Sequence, residues 1–397
     1  MGEAIITRRG GTLKITGQTE ETFRFGETIN KNDPVYVKFN PIKLDDPSTL
    51  PTGSGYGVAF DPTSTYLAVA HSVSPYITIY KRNGNIFTKL SDPLILPTGN
   101  GQGVAFDPKA GTYLAVAHEG SPYITIYKRS GDTFTKLNNP DVLPTYDGEG
   151  CAFDPTGTYL AVAYGNSPYI TIYKRNGDTF TKLPDPATMP TGPGRGVAFA
   201  PSGTYLAVAH EGSPYITIYK RSGDTFTKLT NPDDLPADFG WGCAFDPTGT
   251  YLAVVLRHNP RITIYKRSGD TFTKLTDPAI LPAGYGLGVA FDPTGTYLAV
   301  AHSDSPRITI YKRIGDTFIK LSNPTVVPTG YGRGVAFAPS GLHLAVAHDS
   351  SPRIMIYLVP TCFKTNSMSD VSIAIKAGYA KESGIVDEYK KIVVIFG

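Results

Sequence analysis

Short apolar runs recur along most of the chain, separated by polar clusters rich in Gly, Pro, Asn and Asp. Leu67-Ala68-Val69-Ala70 is followed by Ile77-Thr78-Ile79-Tyr80, and near-copies of both return many times. Runs this short, bounded by turn residues and rich in β-branched and aromatic side chains, predict strands rather than helices. They are almost continuously apolar instead of strictly alternating, which predicts sheets buried on both faces. Asp154-Pro155-Thr156-Gly157 places Pro second and Gly fourth in a turn. Asn83-Gly84, Ser130-Gly131 and Asn176-Gly177 have the positive-φ chemistry of tight hairpins.

The pattern has a period. The glycine that opens each Gly-Val/Cys-Ala-Phe stands at Gly57, Gly103, Gly150, Gly196, Gly242, Gly288 and Gly334, with spacings of 46, 47, 46, 46, 46 and 46. The extra residue lies in the turn Lys109-Ala110-Gly111. Each unit reads as four strands, A to D; in the first they cover 57–60, 66–71, 76–82 and 87–90. Four strands in a unit of this length is the signature of a β-propeller blade. The seventh unit stops after strand C, at Leu358-Val359-Pro360, with no hairpin and no Phe-Thr-Lys-Leu. Upstream, Pro41-Ile42-Lys43-Leu44, Asp46-Pro47 and Leu50-Pro51-Thr52-Gly53 match the D strand and following loop of unit one at an offset of 46. The expected fold is therefore all-β: a seven-bladed β-propeller over 41–357 whose last blade is closed by an N-terminal strand, leaving no open sheet edge.

Phe153 to Ala163 (Phe-Asp-Pro-Thr-Gly-Thr-Tyr-Leu-Ala-Val-Ala), followed by Ile170-Thr171-Ile172-Tyr173, resembles the WD-repeat propeller family. The likeness covers about 41–357. No Gly-His opens the units and Tyr-Lys replaces the Trp-Asp pair, so that family's structural tetrad does not carry over. The resemblance implies a fold; propellers host many functions.

Composition narrows the chemistry. A net charge of +3 on 397 residues argues neither for nor against nucleic acid. Three cysteines make neither a disulfide framework nor a metal cluster; Cys151 and Cys243 stand where other units have Val and read as small buried residues. No segment approaches the length of a membrane span, and Met1 to Gly11 lacks the apolar run of a signal peptide. His71, His118, His210, His302 and His348 end strand B in five units; neighbouring blades hold them too far apart to share a metal ion, so structural hydrogen bonding is expected. The glycine-rich pieces precede strands and lack a phosphate-loop Lys-Ser/Thr. Lys-Arg pairs such as Lys81-Arg82 read as a solvated rim. The expectation is no enzyme, no cofactor, no metal and no nucleic acid.

Comparison of the seven units locates a candidate site. The hairpins hardly differ, whereas the D–A and B–C loops do, and these lie together at the end opposite the hairpins. The position before the strand-A glycine holds Tyr56, Gln102, Glu149, Arg195, Trp241, Leu287 and Arg333. Two residues earlier stand Asp147, Phe239, Tyr285 and Tyr331, among others. Strand C opens on Tyr in four units but on Arg261, Arg307 and Arg353 in the last three. Aromatic platforms beside charged groups suit sugars or polar polymers. Asp147, Glu149 and Asp238 are candidates for a hydrolytic carboxylate pair, but nothing in the sequence fixes their separation.

The flanks carry a second resemblance. Gly26-Glu27-Thr28-Ile29, Asp33-Pro34-Val35-Tyr36-Val37 and Gly378-Tyr379-Ala380-Lys381-Glu382-Ser383-Gly384 before an apolar last strand resemble the small β-barrels of bacteriophage capsid-decoration and head-fibre proteins. Met1 to Gly11, with Arg8 and Arg9, is similar to the arm of a phage structural protein. The resemblance implies an arm over 1–20, a split barrel from 21–40 and 358–397, and a propeller inserted between them. Its implied role is a virion accessory protein, assembled in the host cytoplasm and anchored through its N- and C-terminal segments to capsid or another virion protein, with a homo-oligomer on the particle as one arrangement. The propeller would bind a host-surface glycan or polymer. The rival is an intracellular scaffold of WD-repeat type that binds other proteins.

Overall fold

A computed structural model describes residues 4–8, 11–15, 35–37 and 41–359. Within 41–359 every regular element is a strand, and the strands form seven four-stranded antiparallel sheets. In blade one, strand A is Gly55–Phe60, B is Tyr66–His71, C is Ile77–Asn83 and D is Ile86–Lys89. Blades two to six repeat this order over 101–136, 148–182, 194–228, 240–274 and 286–320. In blade seven, A is Gly332–Phe337, B is His343–His348 and C is Ile354–Leu358. Its fourth strand is Ile42–Lys43, with Tyr357 opposite Lys43 and Leu358 opposite Ile42.

Several strand ends differ from the sequence expectation: A begins at Gly55 rather than Gly57, C runs on to Asn83, and D is Ile86–Lys89. Strand C starts at Ile77, not Tyr76, because Tyr76 and its six equivalents sit at positive φ (64° for Tyr76) and cannot extend the ladder. Leu358 belongs to strand C of blade seven, so the propeller reaches past 357.

The core lies between blades. Strand B is buried along its whole length in most blades, since neighbours cover both of its faces. Ile77 and Ile79 of blade one, for example, pack with Val104, Leu114 and Val116 of blade two. Three recurring polar devices tie this ring together. The strand-C tyrosine hydroxyl donates to a carbonyl of the preceding D–A connection in every blade, from Tyr80 to Thr49 O (2.9 Å) through Tyr357 to Val326 O (3.0 Å). The strand-B histidine shares a buried 2.9 Å hydrogen bond with a strand-C threonine: His71–Thr78, His118–Thr125, His210–Thr217 and His302–Thr309. Tyr164 replaces the histidine against Thr171. The third device joins Tyr, Lys, Arg and Asp across the five seams from blades one and two to blades five and six. Tyr113 and Lys128 of blade two bind Asp178 in the hairpin of blade three, while Arg175 stacks 4.5 Å over the Tyr113 ring. The Lys-Arg pairs thus form interblade joints rather than only a solvated rim.

The two seams of blade seven differ: its C–D hairpin is cut, and at its seam with blade one the residues of the joint are replaced. His343 stands in place of the tyrosine, Leu358 in place of the lysine and Asn85 in place of the aspartate. His343 Nε2 lies 3.0 Å from Asn85 Oδ1, and the imidazole meets Phe87 edge-on.

Ala4–Arg8, Gly11–Ile15 and Val35–Val37 form a three-stranded antiparallel sheet with Ala4–Arg8 in the centre. Arg8 ends its strand opposite Gly11. Arg9, the strand expected over 22–29, Cys362 and the three strands expected after 370 lie outside the described residues.

Candidate functional site

The ring of seven strands A sets the site's geometry. Its glycines allow adjacent blades to touch: a Cβ on Gly57 would come within 2.7 Å of Gln102 O, and one on Gly334 within 2.5 Å of Tyr56 O. Just before each of these glycines the A–B register slips by one residue, as between Gly55 and Gly57 or Gly148 and Gly150. The extra residue of this β-bulge is Tyr56, Gln102, Glu149, Arg195, Trp241, Leu287 or Arg333. A bulge re-aims its side chain out of the regular pleat. Tyr56, Arg195, Trp241, Leu287 and Arg333 accordingly surround an open depression of about 180 Å³ on the channel axis, floored by glycine, valine, Cys151 and Cys243. Burial pushes both thiols up to about 12, so they are unreactive apolar lining.

The side chains of this collar engage one another. Arg195 lies 2.5 Å from Glu149 and 2.5 Å from Glu211, and its guanidinium stacks 4.9 Å over Trp241. Burial raises the Glu149 carboxyl, opposed by the neighbouring Arg195. Gln102 and Asn100 both donate to Glu119. Asp147 accepts the Gly120 N–H at 3.0 Å. On the opposite side Arg333 stacks on Tyr56 and Tyr331, 5.4 and 5.9 Å from the ring centres, and approaches Asp349. Phe239 packs on Tyr215, and Tyr285 stands between His258 and Arg257. His258 is paired with Asp238.

The candidate residues therefore separate into two groups. Tyr56, Asp147, Glu149, Arg195, Phe239, Trp241, Tyr285, Tyr331 and Arg333 belong to the collar or its rim. Arg261 and Arg307 instead reach along the ring to the D–A loop of the next blade, where Arg261 donates to Ala283 O and Arg307 to Pro328 O (3.3 Å). Arg353 does the same to Pro51 O (3.2 Å), so these three arginines hold adjacent blades together. Glu211, Arg257, His258 and Asp349 are site residues that sequence reasoning did not single out. Their signal was present, because the two positions after strand B vary from unit to unit as strongly as the bulge position does. Among the described residues, no group of three His, Cys, Asp or Glu side chains is arranged to hold a metal ion.

No protein-family model and no curated protein matches this chain. Solved structures do. The β-propeller domain of Cps50 (Swd1) from Myceliophteria thermophila superposes with a TM-score of 0.59 at 13% identity, covering 81% of this chain and all of that one. A chain of Kuenenia stuttgartiensis hydrazine synthase gives 0.61 at 15% identity, covering 79% and 97%. At these identities the likeness establishes the fold alone, an all-β propeller, which the seven four-stranded sheets make seven-bladed.

Proposed function

We propose that this protein is a non-enzymatic recognition module of a bacteriophage virion, and that the collar at the channel mouth binds a neutral surface polysaccharide of the host. The observation that carries the ligand class is the state of the cations. Arg195 is neutralised by two carboxylates, Arg333 faces Asp349, and Arg261, Arg307 and Arg353 are committed to carbonyls. Of the described arginines on this face only Arg257, beside Tyr285, is exposed without a carboxylate or carbonyl partner, whereas Tyr146, Tyr285 and Tyr331 are 47, 42 and 48% exposed. Exposed tyrosine faces beside anchored carboxylates and amides suit the apolar faces and hydroxyls of sugars. A shallow, open depression fits a polymer segment better than an enclosed small molecule. Display on a virion rests on the flank motifs resembling capsid-decoration and head-fibre proteins.

Trp241, the only tryptophan, reports on the collar. Titration with neutral bacterial surface glycans should give a saturable fluorescence change that disappears in Tyr285→Ala/Tyr331→Ala, while polyphosphate and DNA give none; Trp241→Phe supplies the blank. No response to any neutral glycan rejects the ligand class. A second reading, a protein partner, is favoured by the clustering of Trp, Tyr and Arg, the residues that dominate protein-binding hot spots. It predicts a tight complex with a single polypeptide that Trp241→Ala abolishes.

A further inference from the structure

The face of each C–D hairpin that looks toward the next blade carries one residue from the end of strand C and one from the middle of strand D. In blades one to five these are Asn83, Ser130, Asn176, Ser222 and Ser268, with Thr88, Thr135, Thr181, Thr227 and Thr273. The direction of this face is fixed by the lysine beside them, since Lys81 reaches Asp132 and Lys266 reaches Asp316 in the following blade. Blade six alone carries isoleucine at both places; blade one has a single isoleucine on this face, Ile86, at the neighbouring position. Ile314 pairs across the ladder with Thr317, and Ile319 with Lys312, so all four side chains share that face. Ile314 is 58% exposed and Ile319 48%.

The blade they look toward is the one whose hairpin is cut. Strand C of blade seven ends at Leu358, and the closing strand enters from elsewhere in the sequence at Ile42. In the A–B turn of blade seven, Leu342 replaces the threonine found at that position in the other blades and is 38% exposed. Val359 N–H donates to Leu342 O at 2.8 Å, and the Val359 side chain is buried in a cluster that includes Ile310 and Leu321 of blade six. The chain thus leaves the propeller beside blade six, from a cluster that Leu321, two residues after Ile319, also packs against. Phe363 follows four residues later, within about 14 Å at ~3.5 Å per residue. Upstream, by contrast, Val35–Val37 is already engaged by Ala4–Arg8.

We infer that the Ile314–Ile319 face of blade six is the docking surface of the chain's own C-terminal segment, 360–397, seated first through Phe363. Two isoleucines at positions that are polar in five sister blades mark a surface meant to be covered, and the segment that emerges beside them is rich in apolar residues. The inference stands independently of what the collar binds.

The full-length protein provides its own probe, because Cys362 adjoins Phe363, while Cys151 and Cys243 line the collar and burial raises their thiols. Mild oxidation of Ile314→Cys should yield an intramolecular disulfide between the new thiol and Cys362, found by peptide mapping and absent from Ile314→Cys/Cys362→Ala. A monomer whose two thiols stay open to alkylation overturns the inference. Disulfide-linked dimers would assign the face to a second copy and overturn it equally. So would closure between Ile314→Cys and Phe39→Cys in a Cys362→Ala background, which would assign the face to the upstream segment. Independently, Ile314→Ser/Ile319→Thr, the residues of the sister blades, should leave Trp241 emission unchanged but speed proteolysis within 360–397 about tenfold. An unchanged cleavage rate in that variant counts against docking.

Discussion

The hydroxyl of Tyr159 in blade three donates to the carboxylate of Asp224 in the hairpin of blade four at 2.5 Å, and Lys174 takes the other carboxylate oxygen at 2.7 Å. The two bonds are not equal. Lys174 and Asp224 are both about half exposed, so their ion pair is screened and contributes little. The Tyr159 ring is buried and covered by Arg221.

Tyr159→Phe is therefore expected to cost about 1 kcal/mol in urea denaturation, as for loss of a hydrogen bond to a charged acceptor at a partly exposed site. Lys174→Met should leave the transition in place. A larger loss for the lysine variant would reverse this ranking.

Blade five offers a test of the buried histidine–threonine pairs. Leu256 replaces the histidine there, and Thr263 Oγ1 is buried without a partner. Thr263→Val should stabilise the protein by about 1 kcal/mol, because it removes an unsatisfied hydroxyl at nearly constant volume. The same change at Thr217, which is bonded to His210, should destabilise it by a similar amount. Equal effects from both variants would deny the pairs any energetic role.

Acid should weaken the ring well above the carboxylate range. Burial lowers His71, His210, His302, His343 and His348 from 6.5 to about 4, so the fold holds them neutral. Between those values the unfolded chain binds the extra protons. Stability is then level above pH 7 and falls as pH drops from 6.5 toward 4, by up to about 1.4 kcal/mol per pH unit for each histidine. Denaturation midpoints at pH 7.5, 6 and 5 measure this; equal midpoints at pH 7.5 and 5 would refute it.

At the collar, Arg195→Ala leaves Glu149 and Glu211 facing the space of the lost guanidinium, both largely buried. The cost should be about 2 kcal/mol, below that of a fully buried pair because water still reaches the site. The Glu149 carboxyl should rise further without its cation, and the emission of Trp241 should change as the guanidinium leaves its ring. Arg195→Lys should keep the charge and lose the stacking. An unchanged emission in both variants would show that the stacked geometry does not persist in solution.

Much of the fold was legible in the sequence because one unit is written seven times. The glycine spacing set the blade number, and the 46-residue offset between Ile42–Lys43 and Thr88–Lys89 set the register found opposite Tyr357 and Leu358. Less legible were relations that join different units. Arg261 and Arg307 looked like ligand contacts because their blades differ from the rest, yet the difference serves a neighbour's loop. The bulge that turns Glu149 toward Arg195 is a slip in pairing between two strands, and no single strand's pattern contains it. The Tyr–Asp joints did leave a trace, because where Tyr gives way to His343 the aspartate gives way to Asn85 in the same seam.

That substituted seam has a consequence for how the ring assembles. Identical joints are interchangeable: a ring with a blade too few, or one built from two chains, satisfies every Tyr–Asp–Lys contact as well as the native one does. The His343–Asn85 pair is different, since a ring closed in another phase would set His343 against an aspartate or Asn85 against a tyrosine. Among near-identical units it marks, in chemistry as well as in topology, the place where the last blade meets the first.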